Sequence, residues 1–258
     1  MNIGVSTACL YPMPTELALK ALAEQGIKAV EIFVNASSEY EQECLINMRR
    51  IIDKYGVKVV AIHPFSSAFE PLLFFTGYER RVKDSFKMYE GIYKASRFLG
   101  AEIIVLHGDH RRGAMTDNEY FERYGEMFRH AQQNGVLLAQ ENVERCRSRS
   151  VDFIKRMHTA LGSEVRFVLD QKQAIRSGET AFTMLEAMGN AVCHLHISDS
   201  NSTHDCLPPG SGDFEFSELF KRVKAVSNEV YAIVELYRDN YDTTENLYTS
   251  YSFLKAIP

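Results

Sequence analysis

Short apolar runs recur along this chain, each preceded by a glycine and each stopping on an ionisable side chain. Six are plain: Gly26 to Glu31, Gly56 to His63, Gly100 to His107, Gly135 to Glu141, Gly162 to Asp170 and Gly189 to His196. A seventh, Asn228 to Glu235, starts on asparagine, which after glycine best tolerates the left-handed turn that closes a helix. The pattern predicts a helix end, a buried strand and a reactive group, repeated. Runs such as Ile103-Ile104-Val105-Leu106 and Val136-Leu137-Leu138-Ala139 are apolar without alternation, as in strands covered on both faces by crossover helices. The stretches between them read as amphipathic helices: Thr15 to Gln25, Glu39 to Tyr55, Tyr78 to Leu99, Asn118 to Asn134 and Val151 to Leu161.

With Ile3 to Ser6 as the first strand, eight strands alternate with helices. Glu141, Asp170, His196 and Glu235 follow one another at spacings of 29, 26 and 39 residues, close to one βα unit of roughly 30 residues, the last lengthened by a loop. Eight regular right-handed units predict an α/β fold, a single (β/α)8 TIM barrel spanning residues 1–258, rather than an open doubly wound sheet. Pro209-Gly210-Ser211-Gly212 is the sole phosphate-loop lookalike. It lies well after a strand, lacks the dinucleotide-binding spacing, and reads as a flexible loop.

Composition narrows the classes. The chain has 258 residues, 45% hydrophobic and 24% charged, which suits a folded enzyme and not a disordered segment. No apolar stretch nears the ~20 residues of a membrane span, and Met1 to Ser6 enters a strand without a basic leader, so a cytoplasmic protein is expected. Five cysteines without a C-x-x-C pair read as reduced thiols. A net charge of -5 argues against a broad nucleic-acid surface.

In such a barrel the C-terminal strand ends converge on one mouth, bringing distant residues to a common centre. Glu141, Asp170, His196 and Glu235 would there supply three carboxylates and an imidazole, a set suited to one divalent ion, Mn²⁺, Mg²⁺, Co²⁺ or Zn²⁺. Carboxylates buried together need a counter-charge, because desolvation and mutual repulsion both oppose them. Glu31 reads as a plain charge on the barrel rim.

The segments Ala61-Ile62-His63-Pro64-Phe65, Val105-Leu106-His107-Gly108, Gln140-Glu141-Asn142, Val168-Leu169-Asp170, His194-Leu195-His196-Ile197-Ser198-Asp199, Pro209 to Phe214 and Val234-Glu235-Leu236-Tyr237 resemble the xylose-isomerase-like sugar phosphate isomerases and epimerases. That superfamily shares its barrel with apurinic endonucleases of the endonuclease IV type. The resemblance implies a metal held by Glu141, Asp170, His196 and Glu235, with His63 and His107 lining the substrate pocket. It also implies that Glu141 and Glu235 act as acid and base on opposite faces of a carbon beside a carbonyl. Proton removal there gives an enediolate, whose reprotonation epimerises or isomerises the sugar. The same enediolate could expel a hydroxyl, as in an inosose-dehydratase-like lyase, and an apurinic endonuclease-like repair enzyme is the more distant alternative.

Against that alternative, Gln173 stands where many relatives carry a histidine. Its neutral amide can hydrogen-bond a substrate hydroxyl but is a poor metal ligand. His204, in Thr203-His204-Asp205, stands where the endonucleases show an Asp-x-His pair; it is a candidate substrate contact or a mobile loop histidine. Arg111, Arg112, Arg145, Arg147, Arg149 and Lys172 follow strands four to six and crowd the mouth, which suits an anionic substrate; a solvated rim paired with acids such as Glu144 is the simpler account. The expected partner is a small carbohydrate, neutral or anionic, with no nucleic acid and no membrane; a homo-oligomer is left open.

Overall fold

All six glycines that precede the apolar runs take positive φ, between 53° and 88°. Gly56 (φ 61°, ψ 44°) is left-handed, and its N–H closes onto the Ile52 carbonyl, so the helix stops there and the next strand begins. The computed structural model describes residues 1–227 and 229–258; the expected turn at Asn228 lies outside them.

The first half runs β1 (Asn2–Ser6), α1 (Thr15–Glu24), β2 (Ala29–Phe33), α2 (Gln42–Tyr55), β3 (Lys58–His63), α3 (Glu70–Leu73), α4 (Glu79–Leu99) and β4 (Ile103–Leu106). The second half runs α5 (Asp117–Gln133), β5 (Leu137–Glu141), α6 (Val151–Leu161), β6 (Phe167–Asp170), α7 (Gln171–Arg176), α8 (Ala181–Met188), β7 (Val192–Ile197), α9 (Phe216–Val226), β8 (Tyr231–Val234) and α10 (Thr244–Lys255). The eight strands are parallel, pair in sequence order and close through β1 and β8. The helix expected from Glu39 begins later, at Gln42, because Ser37–Tyr40 forms a separate 3-10 turn. None of the described helices is long and apolar enough to cross a membrane.

Strand residues alternate between two environments, as their period of two requires. The outward set, including Val30, Ile32, Ile62, Ile104, Leu106, Leu138, Leu169 and Leu195, packs under the helices in the main core. The lower barrel interior is filled by Ala61, Ile103, Val105, Ala139 and Val168, with Ala29, Val60 and Ile233 in a neighbouring group. Two residues further along the same strands, Ala61 gives way to His63, Ala139 to Glu141 and Val168 to Asp170. The interior thus passes from apolar to ionisable towards the C-terminal strand ends, and the chemistry sits on a packed floor.

Candidate active site

Glu141, Asp170, His196 and Glu235 meet at the ends of β5 to β8, with one ligand atom from each lying within 4.8 Å of the others. His196 Nδ1 stands 3.3 Å from Glu141 Oε1, 3.5 Å from Glu235 Oε2 and 3.7 Å from Asp170 Oδ2. Backbone bonds hold this ring together. Asp170 N–H donates to Asn142 Oδ1 at 2.7 Å, and Asn142 Nδ2 donates back to the Asp170 carbonyl at 2.9 Å, tying β5 to β6. The Asp170 carboxylate also caps α7, accepting from Gln173 N–H through Oδ1 at 2.9 Å, which leaves Oδ2 for the ring. Carboxylate and imidazole donors at this spacing, three of the four residues buried, fit a divalent ion.

Two residues have roles that the sequence reading missed. Glu31 is not a rim charge: it is fully buried, and its Oε2 accepts from His194 Nε2 at 2.9 Å and His196 Nε2 at 3.0 Å, while Ser6 Oγ donates to Oε1 at 3.2 Å. By taking His196 Nε2, Glu31 turns Nδ1 towards the three carboxylates. Burial pushes the Glu31 carboxyl up, but His196 and His194 outweigh it and hold it well below the usual range. The His196 imidazole is lowered by burial and raised more strongly by Glu235, Glu31 and Glu141, so it stays protonated well above its ordinary range.

Lys172, expected on the basic rim, instead turns inward. Its side chain is 3% exposed, and Nζ donates at 2.5 Å to both Asp170 Oδ2 and Glu235 Oε2. A lysine is almost never this buried unless paired. Burial disfavours its charge, yet Asp170, Glu235 and Glu141 more than reverse that and keep the ammonium charged.

His63 and His107 flank the ring. Arg145 Nη2 approaches His107 Nδ1 at 2.6 Å, and a guanidinium only donates, so Nδ1 accepts and the His107 proton sits on Nε2. That nitrogen lies 3.0 Å from Glu141 Oε2, a carboxylate that accepts its proton, and 2.8 Å from His63 Nε2. Burial drives His107 down to about 4, so it is neutral at physiological pH. His63, His107 and Glu141 also lie at ligand spacing. While Arg145 holds this tautomer, however, His107 Nε2 has no lone pair for a cation. Below the loop, Glu70 Oε2 accepts the backbone N–H groups of His107 at 2.8 Å and Gly108 at 2.7 Å, fixing the end of β4.

A cavity of about 640 Å³ opens above the ring, and His63, His107, Glu141, Gln173 and Glu235 line it together with Lys172. Gln173 Oε1 accepts Glu144 N–H at 3.0 Å. His204 is not among the lining residues: it is exposed on a loop that folds on itself, with Asn201 Oδ1 accepting the N–H groups of Thr203 and His204 at 2.9 Å. The rim cations also divide. Arg145 lines the mouth cavity, whereas Arg111, Arg112, Arg147 and Arg149 line a separate one, where Arg147 pairs with Asp109 and Asp117 and Arg111 with Glu144. Pro209 to Gly212 is tethered, in contrast to the flexible loop expected. Asp199 Oδ2 accepts from Gly210 and Gly212 N–H at 2.9 Å, and Oδ1 from Phe214 N–H at 3.1 Å.

Residues 19–257 match the family model of the xylose isomerase-like TIM barrel. An uncharacterised protein of Mycobacterium leprae is 23% identical over 239 residues, covering 82% of this chain and 80% of its own. Among solved structures, a D-tagatose 3-epimerase-like protein superposes with a TM-score of 0.79 at 18% identity, covering 99% of this chain and 96% of the other. The 3-keto-D-glucoside 4-epimerase of E. coli gives 0.75 at 17%, covering 99% of each chain. The IOLI protein with a bound zinc atom gives 0.74 at 18%, covering 99% and 95%. At such identities the structural likeness establishes the fold, and it agrees with the family match over nearly the whole chain: this protein belongs to the xylose isomerase-like TIM-barrel family.

Proposed function

We propose that this protein is a divalent-metal-dependent isomerase or epimerase acting on a sugar, sugar phosphate or sugar derivative by proton abstraction beside a carbonyl. The observation that carries this reading is which members of the ring face the cavity. Glu141 and Glu235 line it, while Asp170 and His196 do not. Two carboxylates that border the cavity, Glu141 almost wholly buried and Glu235 partly so, beside two donors that do not reach it, match a division between acid-base groups and a structural support. The names of the similar solved structures, a tagatose 3-epimerase-like protein and a ketoglucoside epimerase, point to the same substrate class.

Burial raises the Glu141 carboxyl, but His107 and His196 outweigh it and keep Glu141 ionised, as a base must be. Glu235 is likewise lowered on balance, with His196 and Lys172 opposing its burial. One glutamate takes the proton from the carbon beside the carbonyl, and the other returns a proton to the opposite face or to the neighbouring carbon. Glu141, Asp170, His196 and Glu235 would hold one Mn²⁺, Mg²⁺, Co²⁺ or Zn²⁺, and the bound ion would polarise the carbonyl so that the adjacent proton becomes acidic. His63, His107 and Gln173 offer polar contacts for hydroxyls. Phe33 and Tyr237, also in the lining, give apolar faces to the C–H surface of a sugar.

The test is a screen in heavy water, with metal supplied, of ketoses, sugar phosphates and inososes for deuterium uptake beside the carbonyl. Uptake with a new sugar as product supports the reading, and uptake ending in loss of water moves the protein to the lyases. No uptake from any of them, together with nicking of abasic DNA, would discard it.

A further inference from the structure

The ring already contains a cation supplied by the chain. Lys172 Nζ donates to Asp170 Oδ2 and Glu235 Oε2, each at 2.5 Å. These are the same two oxygens that face His196 Nδ1 at 3.7 and 3.5 Å, and therefore the ones directed at any ion that His196 would share. Asp170 Oδ1 is already engaged, accepting Gln173 N–H at the start of α7. An ammonium and a divalent ion cannot both use Oδ2 at contact distance without placing like charges side by side in a buried site.

We propose that Lys172 is the resident counter-ion of this carboxylate ring, and that a divalent metal binds only in competition with it. The inference rests on the metal-dependent reading above, but it concerns how the chain controls metal entry and not which sugar is turned over. The ring is built to hold together without metal. Two carboxylates that would otherwise repel each other, Asp170 and Glu235, are bridged by an ammonium that cannot be lost to a chelator. Metal affinity is then set by the work of moving Lys172 off Asp170 and Glu235, in addition to the quality of the four donors.

The experiment compares metal-stripped wild type with Lys172→Met by calorimetric titration with Mn²⁺ and by melting in chelator and in Mn²⁺. The expected result is roughly ten- to hundredfold tighter Mn²⁺ binding by Lys172→Met, the scale on which groups around metal ligands shift affinity. In chelator the variant should melt well below wild type, and Mn²⁺ should restore more of its melting temperature than it adds to wild type. Equal Mn²⁺ affinity in the two proteins overturns the competition and leaves the metal-dependent reading standing. Absence of Mn²⁺ binding by either protein overturns both. Should Lys172→Met fail to fold, Lys172→Gln removes the charge while keeping an N–H donor for the carboxylates, and the same comparison of affinities decides.

Discussion

Replacing Glu31 by glutamine changes one charge in the barrel floor while keeping its shape. In the native site one oxygen accepts two imidazole N–H groups, at 2.9 and 3.0 Å, and the other accepts the Ser6 hydroxyl at 3.2 Å. A glutamine carbonyl oxygen can take the place of Oε2, and its amide can donate to Ser6 Oγ, so no buried partner is orphaned. What is lost is the charge on two buried bonds. A bond to a charged acceptor contributes about 1.5–3 kcal/mol against about 0.5–1.5 kcal/mol for a neutral one, so the variant should lose about 2 kcal/mol of stability. Relief of repulsion is the smaller effect, because the hydrogen-bonding partners of Glu31 are two imidazoles and a hydroxyl. Urea unfolding of the metal-stripped proteins at pH 7 measures the loss. A Mn²⁺ titration should show affinity weakened by about tenfold or more, since Glu31 aims the His196 ligand. A variant as stable as wild type, with unchanged Mn²⁺ affinity, would refute the positioning role and return Glu31 to an ordinary acidic residue.

Further expectations follow from other contacts. The folded-state pKa of Glu31 lies below the ordinary 4.5, so its contribution to stability is complete above about 4.5 and is lost as pH falls through the lower folded value. Acid titration of stability should therefore be shallower in Glu31→Gln than in wild type. His196 is protonated above its ordinary 6.5, so Mn²⁺ binding at pH 7 should release a proton from it; titrations in buffers of different ionisation enthalpy would reveal this as a buffer-dependent heat. Glu70→Ala leaves the N–H groups of His107 and Gly108 without their buried acceptor, at about 1–3 kcal/mol each, measurable by urea unfolding. Asp199→Ala should free the loop from Pro209 to Phe214, seen as faster limited proteolysis there while the barrel stays intact.

The barrel and four of its strand-end residues could be read from the sequence because the signals are local. A glycine at positive φ precedes six of the strands, and the short apolar run that follows each ends on an ionisable residue. The side chains that complete the site depend on direction and reach. Glu31 looked like any acid at a strand end, although its place two residues after Ala29 put it on the inward face, opposite His194 and His196. Lys172 carried a local hint, since it lies two residues after Asp170. A long side chain on a mouth loop can nonetheless point to solvent or into the ring, and only the burial of Asp170 and Glu235 decides. Arg145 is similar: its position among basic rim residues suggested substrate charge, whereas its contact with His107 Nδ1 sets a tautomer. His204 has the residue type of a site group but is exposed on a loop and does not line the cavity.

The central claim is that Glu141 and Glu235 move a proton at a carbon beside a carbonyl. Its most direct test is exchange in heavy water by wild type, Glu141→Gln and Glu235→Gln, using the sugar that wild type labels best and with each protein's Mn²⁺ content measured. Deuterium uptake by metal-loaded wild type is expected, with a fall of about 10²–10⁴-fold in each variant that still carries metal. Wild-type exchange rates in either metal-loaded variant would contradict the claim.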